Sequence, residues 1–217
     1  MPDEKDDTVL QAGDAGYWDA YYARASGPGL PSQFATFVAG ELDRHHRIVE
    51  FGCGNGRDAM FFAAQGHQVV GIDAAEPAIK RCHENAQSLG HDADFVAARI
   101  DDPELADKVP PADGATVVYA RFFLHAITEQ EERAFFRCAR ALTKPGDLMA
   151  VEFRTTRDRT GEKVTERHFR RFLEPVTFQL DAFEHGFRTT YSVEGFGFAK
   201  YKQDDAHVAR CLLVRQG

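Results

Sequence analysis

Four residues spaced by two, Glu50, Gly52, Gly54 and Gly56, stand at the centre of IVEFGCGNGRDAMFFA, residues 48–63. Glycine tolerates positive φ and lets a ligand approach the backbone closely. The next apolar run, VVGID, ends in a second acidic residue, Asp73. A carboxylate can accept from both hydroxyls of a ribose at once, so a bare loop followed by an acidic strand end suits a nucleoside. The spacing departs from G-x-G-x-x-G, because Gly56 comes one place early and Arg57 stands where the third glycine belongs. G-x-x-x-x-G-K-[ST] is absent. Both facts disfavour a dinucleotide oxidoreductase and a P-loop enzyme.

A second constellation is cationic. Arg121 and His125 lie in YARFFLHAI, residues 119–127; Arg154, Arg157 and Arg159 follow, and TERHFRRF adds Arg167, His168, Arg170 and Arg171. The planar fork of arginine matches carboxylate and phosphate. In a chain of net charge −8, such a concentration predicts a small anionic ligand, with Tyr22, Arg121, Phe122, Arg154, Arg167, His168, Arg170 and Arg171 around it. The competing reading is a solvated charged face, with Arg121 paired to Glu152 and Arg57 to Asp58 at the surface.

The elements that must position these groups alternate. Strands are expected at 47–51, 67–73, 94–98, 115–119 and 148–153, with helices at 58–65, 77–89, 128–142 and 172–185. Thr128-x-x-Glu131 reads as a capping box. Two further runs, 187–195 and 207–215, read as an antiparallel pair closing one sheet edge. The fold class is therefore α/β: a Rossmann-like, doubly wound, mostly parallel seven-stranded sheet. Residues 1–45 are expected to form a leader and helical lid bearing Trp18, Tyr21 and Tyr22, and 46–217 the main domain.

Composition bounds the partners. The 217 residues are 43% hydrophobic, enough for a core, and the acidic balance disfavours a broad nucleic-acid footprint. The start, MPDEKDD, has no apolar signal region, and no run reaches membrane-span length. Cys53, Cys82, Cys138 and Cys211 are scattered without zinc spacing. They predict reduced thiols, a cytoplasmic location and no metal. Oligomeric state is not legible.

Glu50-x-Gly52-x-Gly54-x-Gly56 followed by Asp73 resembles the first two motifs of class I S-adenosylmethionine-dependent methyltransferases, over residues 46–154. The resemblance implies S-adenosyl-L-methionine as cofactor. It places Glu50 near the methionyl amino group, Gly52, Cys53 and Gly54 along the cofactor, Asp73 on the ribose and Ala74 under the adenine. Arg57 and Asp58 would open the helix beside it, Tyr21 would cover it, and Ala120 would end the fourth strand against it. Relatives often carry an aspartate after the third strand; here Arg99 occupies that place, leaving Ile100 or Asp101 to the adenine. No Asn/Asp-Pro-Pro-Tyr/Phe motif follows the fourth strand, so a nucleic-acid base is not the expected acceptor. The segment is similar to small bacterial methyltransferases, some of natural-product or polysaccharide pathways, and N-G-R is similar to tellurite-resistance enzymes. O-methylation of a small carboxylate- or phosphate-bearing metabolite is expected, with Arg121 orienting it and His125 or His168 as base where one is needed. N-, S- or chalcogen-oxyanion methylation and a non-catalytic cofactor-binding module are the alternatives.

Overall fold

The alternation of short apolar runs with amphipathic helices produces the expected doubly wound sheet. The computed structural model describes residues 29–112, 114–159, 169–200 and 203–217. In chain order these form α1 (Gln33–Glu41), β1 (Arg47–Phe51), α2 (Arg57–Ala64), β2 (Gln68–Asp73), α3 (Glu76–Leu89), β3 (Ala93–Ala97), β4 (Thr116–Arg121), α4 (Glu129–Leu142), β5 (Leu148–Arg154), α5 (Pro175–Glu184), β6 (Phe187–Gly195) and β7 (Val208–Arg215). The strand order is β3-β2-β1-β4-β5-β7-β6. The first five strands pair in parallel, and β7 is antiparallel to both β5 and β6. Among the described residues no helix is long and apolar enough to cross a membrane.

Local chemistry sets the boundaries. Thr128 caps α4 reciprocally with Glu131, as the sequence predicts. The last helix starts at Pro175 rather than at 172, because proline suits a first helical turn and the preceding residues are tied elsewhere. The Leu173 N–H donates to the Arg154 carbonyl, and the Thr156 N–H donates to the Leu173 carbonyl. β4 runs two residues past Tyr119, since Ala120 and Arg121 still find partners in Phe51, Val151 and Glu152 on the flanking strands. The C-terminal pair also differs in one respect from a simple edge hairpin. β7 inserts between β5 and β6, so of this pair only β6 is an edge strand, with β3 at the opposite edge.

Two apolar layers hold the sheet. On one face Phe51, Phe135, Phe136, Phe153, Phe178 and Phe187 pack under α4 and α5. On the other, Phe34, Val38, Ile48, Phe62, Ile79 and Tyr119 pack with α1, α2 and α3. Full burial of one such side chain stabilises by about 1.5–3 kcal/mol. Helix α1 thus shares the core of the segment expected to begin at residue 46.

Candidate functional site

Strand order reverses between β1 and β4, and in such sheets the crevice beyond the strand ends there is the ligand site. The glycine loop fills it. The N–H groups of Gly52 and Cys53 donate to the Ile72 carbonyl at 2.8 and 3.1 Å, which locks the loop against β2. Asp73 closes the other side: its Oδ2 accepts from Gly54 N–H and its Oδ1 from Ala75 N–H, both at 2.9 Å. These bonds use two of the four acceptor positions of a carboxylate and fix its orientation. Ala74, next in the chain, is exposed. Gly52 has φ +71°, and a Cβ there would lie 2.7 Å from Phe123 Cδ2. Gly52→Ala is expected to cost about 1–2 kcal/mol through the left-handed backbone alone and to weaken nucleoside binding, checked by thermal unfolding and calorimetric titration.

Glu50 lies beneath the loop, 4% exposed. It accepts from the Ala59 N–H at the start of α2, yet its Oε2 has no hydrogen-bond partner among the described residues. Burial pushes its carboxyl well above the usual range, the nearby Asp58 charge adds to this, and Arg57 offsets part of it. Asp58 is the opposite case. It is buried, not at the surface as the simple ion-pair reading has it, and its acceptor positions are filled. Ser32 N–H donates at 2.8 Å, Ser32 Oγ at 2.7 Å, the Tyr119 hydroxyl at 2.8 Å and Arg57 Nε at 3.1 Å. Burial raises its carboxyl, but the Arg57 charge and the Ser32 bonds outweigh that and hold it below the ordinary range. Asp58 therefore joins α1, α2 and β4 under the loop.

The end of β4 forms the opposite wall. Phe122 has φ +58°, unusual for a bulky residue, and its N–H donates to the Glu152 carbonyl at 2.8 Å. The Arg121 guanidinium lies 4.2 Å from the Phe122 ring centre. Its Nε donates to Glu152 Oε1 at 2.9 Å, while Arg210 Nε donates to Glu152 Oε2 at 2.7 Å. One fully buried carboxylate thus serves two arginines, and the group carries a net positive charge. Burial raises the Glu152 carboxyl, and the two guanidiniums pull it back only in part. Phe198, Ala199, Ala206 and Val208 continue the wall beside Phe122 as an apolar patch.

Other expected site residues have defined places. Arg154 is buried between Asp158 and Asp204, each at 2.6 Å. His125 is buried, and its Nδ1 accepts from the Arg154 N–H at 3.2 Å. The proton of a neutral ring then sits on Nε2, with the basic lone pair already engaged. Arg171 pairs with Glu132, and Arg157 with Glu194 at 3.3 Å. Arg99 pairs with Asp101 at 3.0 Å and with Glu131 of the α4 cap at 2.9 Å. Ile100 and Ala120 are buried, as is Cys53. Arg170 is part-buried. Trp18, Tyr21, Tyr22, Arg167 and His168 lie outside the described residues. Pattern reading did not single out Ser32, Tyr119, Phe123, Asp204 or Arg210. Of these, only Tyr119 and Phe123, both inside the quoted β4 segment, carried a signal.

Residues 48–146 match the family described as "Methyltransferase domain". These residues are a class I S-adenosylmethionine-dependent methyltransferase domain. The chain is 31% identical over 108 residues to the S-adenosyl-L-methionine-dependent Diels-Alderase iccD of Talaromyces variabilis, covering 48% of this chain and 35% of that protein. It is 22% identical over 134 residues to glycine N-methyltransferase of Rattus norvegicus, covering 57% and 46%. The chain thus spans less than half the length of these curated relatives. The CcbJ methyltransferase from Streptomyces caelestis has the same fold, with TM-score 0.69, 17% identity, and coverage of 94% of this chain and 100% of that one.

The methyltransferase domain fits its cofactor, S-adenosyl-L-methionine. The orphaned Glu50 Oε2 suits the ammonium of the methionyl end, the bare Gly52 backbone admits that end closely, and Asp73 with exposed Ala74 suits the ribose and adenine. Among the described residues no group of three His, Cys, Asp or Glu side chains converges on a metal position.

Proposed function

We propose that this chain transfers the methyl of S-adenosylmethionine to an ionised oxygen of a small, carboxylate- or phosphate-bearing acceptor. The observation that carries the reading is the Arg121–Phe122 pair at the end of β4. A strained backbone at Phe122 persists only where its surroundings fix it, and such strain concentrates at functional sites. It sits across the glycine loop, with Phe123 against Gly52 between them. Arg121 keeps a partly exposed edge, and its cluster with Glu152 and Arg210 retains net positive charge. The apolar patch at Phe122 and Phe198 would exclude water beside that charge.

The bound cofactor supplies a methyl already activated by sulfonium. The protein's part is alignment and desolvation of the acceptor. An ionised oxygen needs no base, which agrees with the engaged lone pair of His125. The buried free cysteines among the described residues are compatible with the cytoplasmic location in the same proposal. Arg154, Arg170 and Arg171, with Arg167 and His168, remain candidates for the outer acceptor contacts, though Arg154 and Arg171 already hold carboxylates.

The test is S-adenosylhomocysteine release across a panel of carboxylated and phosphorylated metabolites, followed by Arg121→Gln on the best acceptor. Loss of a charge-assisted bond worth about 1.5–3 kcal/mol raises acceptor KM at least tenfold, with cofactor affinity unchanged. An unaltered KM removes Arg121 from acceptor binding. The likeness to glycine N-methyltransferase favours amines as a second panel. The likeness to a cofactor-dependent Diels-Alderase makes turnover without S-adenosylhomocysteine release the outcome that would mark a non-methylating role.

A further inference from the structure

Three charged residues lie in one row across the sheet. Arg121 of β4 pairs in register with Glu152 of β5, and Glu152 with Arg210 of β7. Residues opposite one another on adjacent strands project to the same face. Two places along the same strands, Tyr119, Ala150 and Leu212 lie in the apolar layer packed with α1, so the row is on the α1 side of the sheet. The hydrogen bonds divide unequally. Glu152 accepts from Arg121 Nε through Oε1 at 2.9 Å and from Arg210 Nε through Oε2 at 2.7 Å. Arg210 is anchored inside the fold as well. A terminal nitrogen donates to the Phe198 carbonyl at 2.7 Å, and the guanidinium lies 5.4, 5.8 and 5.0 Å from the ring centres of Phe34, Phe37 and Phe198. Arg121 has no such anchorage beyond Glu152 and the Phe122 ring. Its terminal nitrogens hold no hydrogen bond among the described residues, and its side chain is 17% exposed against 8% for Arg210.

An arginine beside a carboxylate favours the bidentate pair, with two parallel N–H···O bonds. Arg210 denies Arg121 that arrangement, because it already holds the second oxygen. Arg121 is left with one bond through Nε and two terminal nitrogens, whose spacing matches the paired oxygens of a carboxylate or phosphate. The surrounding charges sharpen the effect. Asp58 is answered by Arg57. Arg154 lies 5.4 Å from the Phe122 ring centre, but Asp158 and Asp204 answer it twice over. Arg57, Arg121, Arg154 and Arg210 therefore just balance Asp58, Glu152, Asp158 and Asp204. Without Arg210 the same set is net negative and repels an anion. We infer that Arg210 is a positioning residue for the acceptor: by holding Glu152 Oε2 it keeps the terminal nitrogens of Arg121 open to an anionic group. The inference rests on Arg121 binding the acceptor; Arg210 acts through Arg121 and does not touch the acceptor itself.

The experiment titrates the full chain, saturated with S-adenosylhomocysteine, with inorganic phosphate and with acetate, each followed by NMR. Arg121→Gln is expected to abolish the anion site. Arg210→Met keeps an unbranched stem among the three phenylalanine rings and is expected to weaken the site by about tenfold. Adding Glu152→Gln to Arg210→Met is expected to restore binding, because an amide has one acceptor oxygen and no charge with which to hold both arms of Arg121. A crystal structure of Arg210→Met should show Arg121 on both Glu152 oxygens. S-adenosylhomocysteine affinity should stay unchanged throughout, which separates a lost anion site from a lost fold. Arg210→Lys is the gentler companion and is expected to fall between wild type and Arg210→Met; it carries the comparison with wild type if Arg210→Met does not fold. Loss of binding in Arg121→Gln with wild-type binding in the Arg210 variants overturns this inference alone. A double variant no better than Arg210→Met does so too, since it reduces Arg210 to support of the fold. A wild type that binds neither anion, or binding that Arg121→Gln leaves intact, overturns the role of Arg121 and this inference with it.

Discussion

Asp58→Ala is expected to be the most destabilising single change in the glycine-loop region, costing about 3–5 kcal/mol. The substitution removes the acceptor of four hydrogen bonds at once. It leaves the Ser32 N–H and hydroxyl, the Tyr119 hydroxyl and the Arg57 guanidinium without their partner. A domain of this kind has about 5–15 kcal/mol in total, so the variant should lie close to unfolding. Ser32→Ala and Tyr119→Phe each remove one partner and should cost only about 1 kcal/mol. Urea denaturation across this set is the measurement, and equal costs for all three variants would contradict the hub role. The pH dependence has a definite sign. The Asp58 carboxyl is held below its ordinary range, so its contribution is present above its unfolded pKa and is lost as pH falls through the folded value. Wild type and variant should converge in acid.

Glu50→Gln is expected to act in opposite directions on the fold and on the cofactor. In the cofactor-free chain this carboxyl is raised by burial and by Asp58, and one of its oxygens has no partner. Its contribution to stability is fully present below its unfolded pKa and is lost as pH rises through the folded one. A neutral amide avoids that loss, so the variant should unfold at a higher temperature than wild type at neutral pH and differ little in acid. Binding reverses the order. An ammonium beside Glu50 needs the ionised form, so wild-type affinity for S-adenosylhomocysteine should weaken as pH falls. The amide variant should bind weakly at every pH, by about 10- to 100-fold at neutral pH. Calorimetry in two buffers of different ionisation enthalpy adds a check, because wild type should release protons on binding and the variant should not. Equal affinity in both proteins would remove Glu50 from the cofactor's amino end.

These two carboxylates show what the linear chain discloses. Glu50, Gly52 and Asp73 were readable because glycine spacing and a strand-terminal acid are local signals, and the parallel sheet follows from the same alternation. The fate of the arginines was not readable. Arg154 meets Asp204 fifty residues on, and Arg210 meets Glu152 from an antiparallel strand. Such pairings depend on β7 lying beside β5, and no periodicity in the sequence states a strand's neighbour. Composition reported cations near a pocket, while the fold reports how much of their charge is already answered. Arg121 was the exception, since the ends of β4 and β5 are adjacent in any sheet of this order and the pairing with Glu152 could be weighed in advance.

The insertion of β7 between β5 and β6 also imposes a timetable. On a ribosome β6 emerges before β7, yet it has no place on the sheet until β7 has docked against β5. Phe187, fully buried in the finished molecule, must wait in solvent or in a provisional contact meanwhile. A growing chain therefore passes through a stage in which glycine loop and parallel strands can be complete while the wall at Arg121 and Phe122 is still open, because Arg210 arrives with the strand that closes it. Under the proposed function, the site of the methyl donor would then be complete before that of the acceptor during synthesis itself.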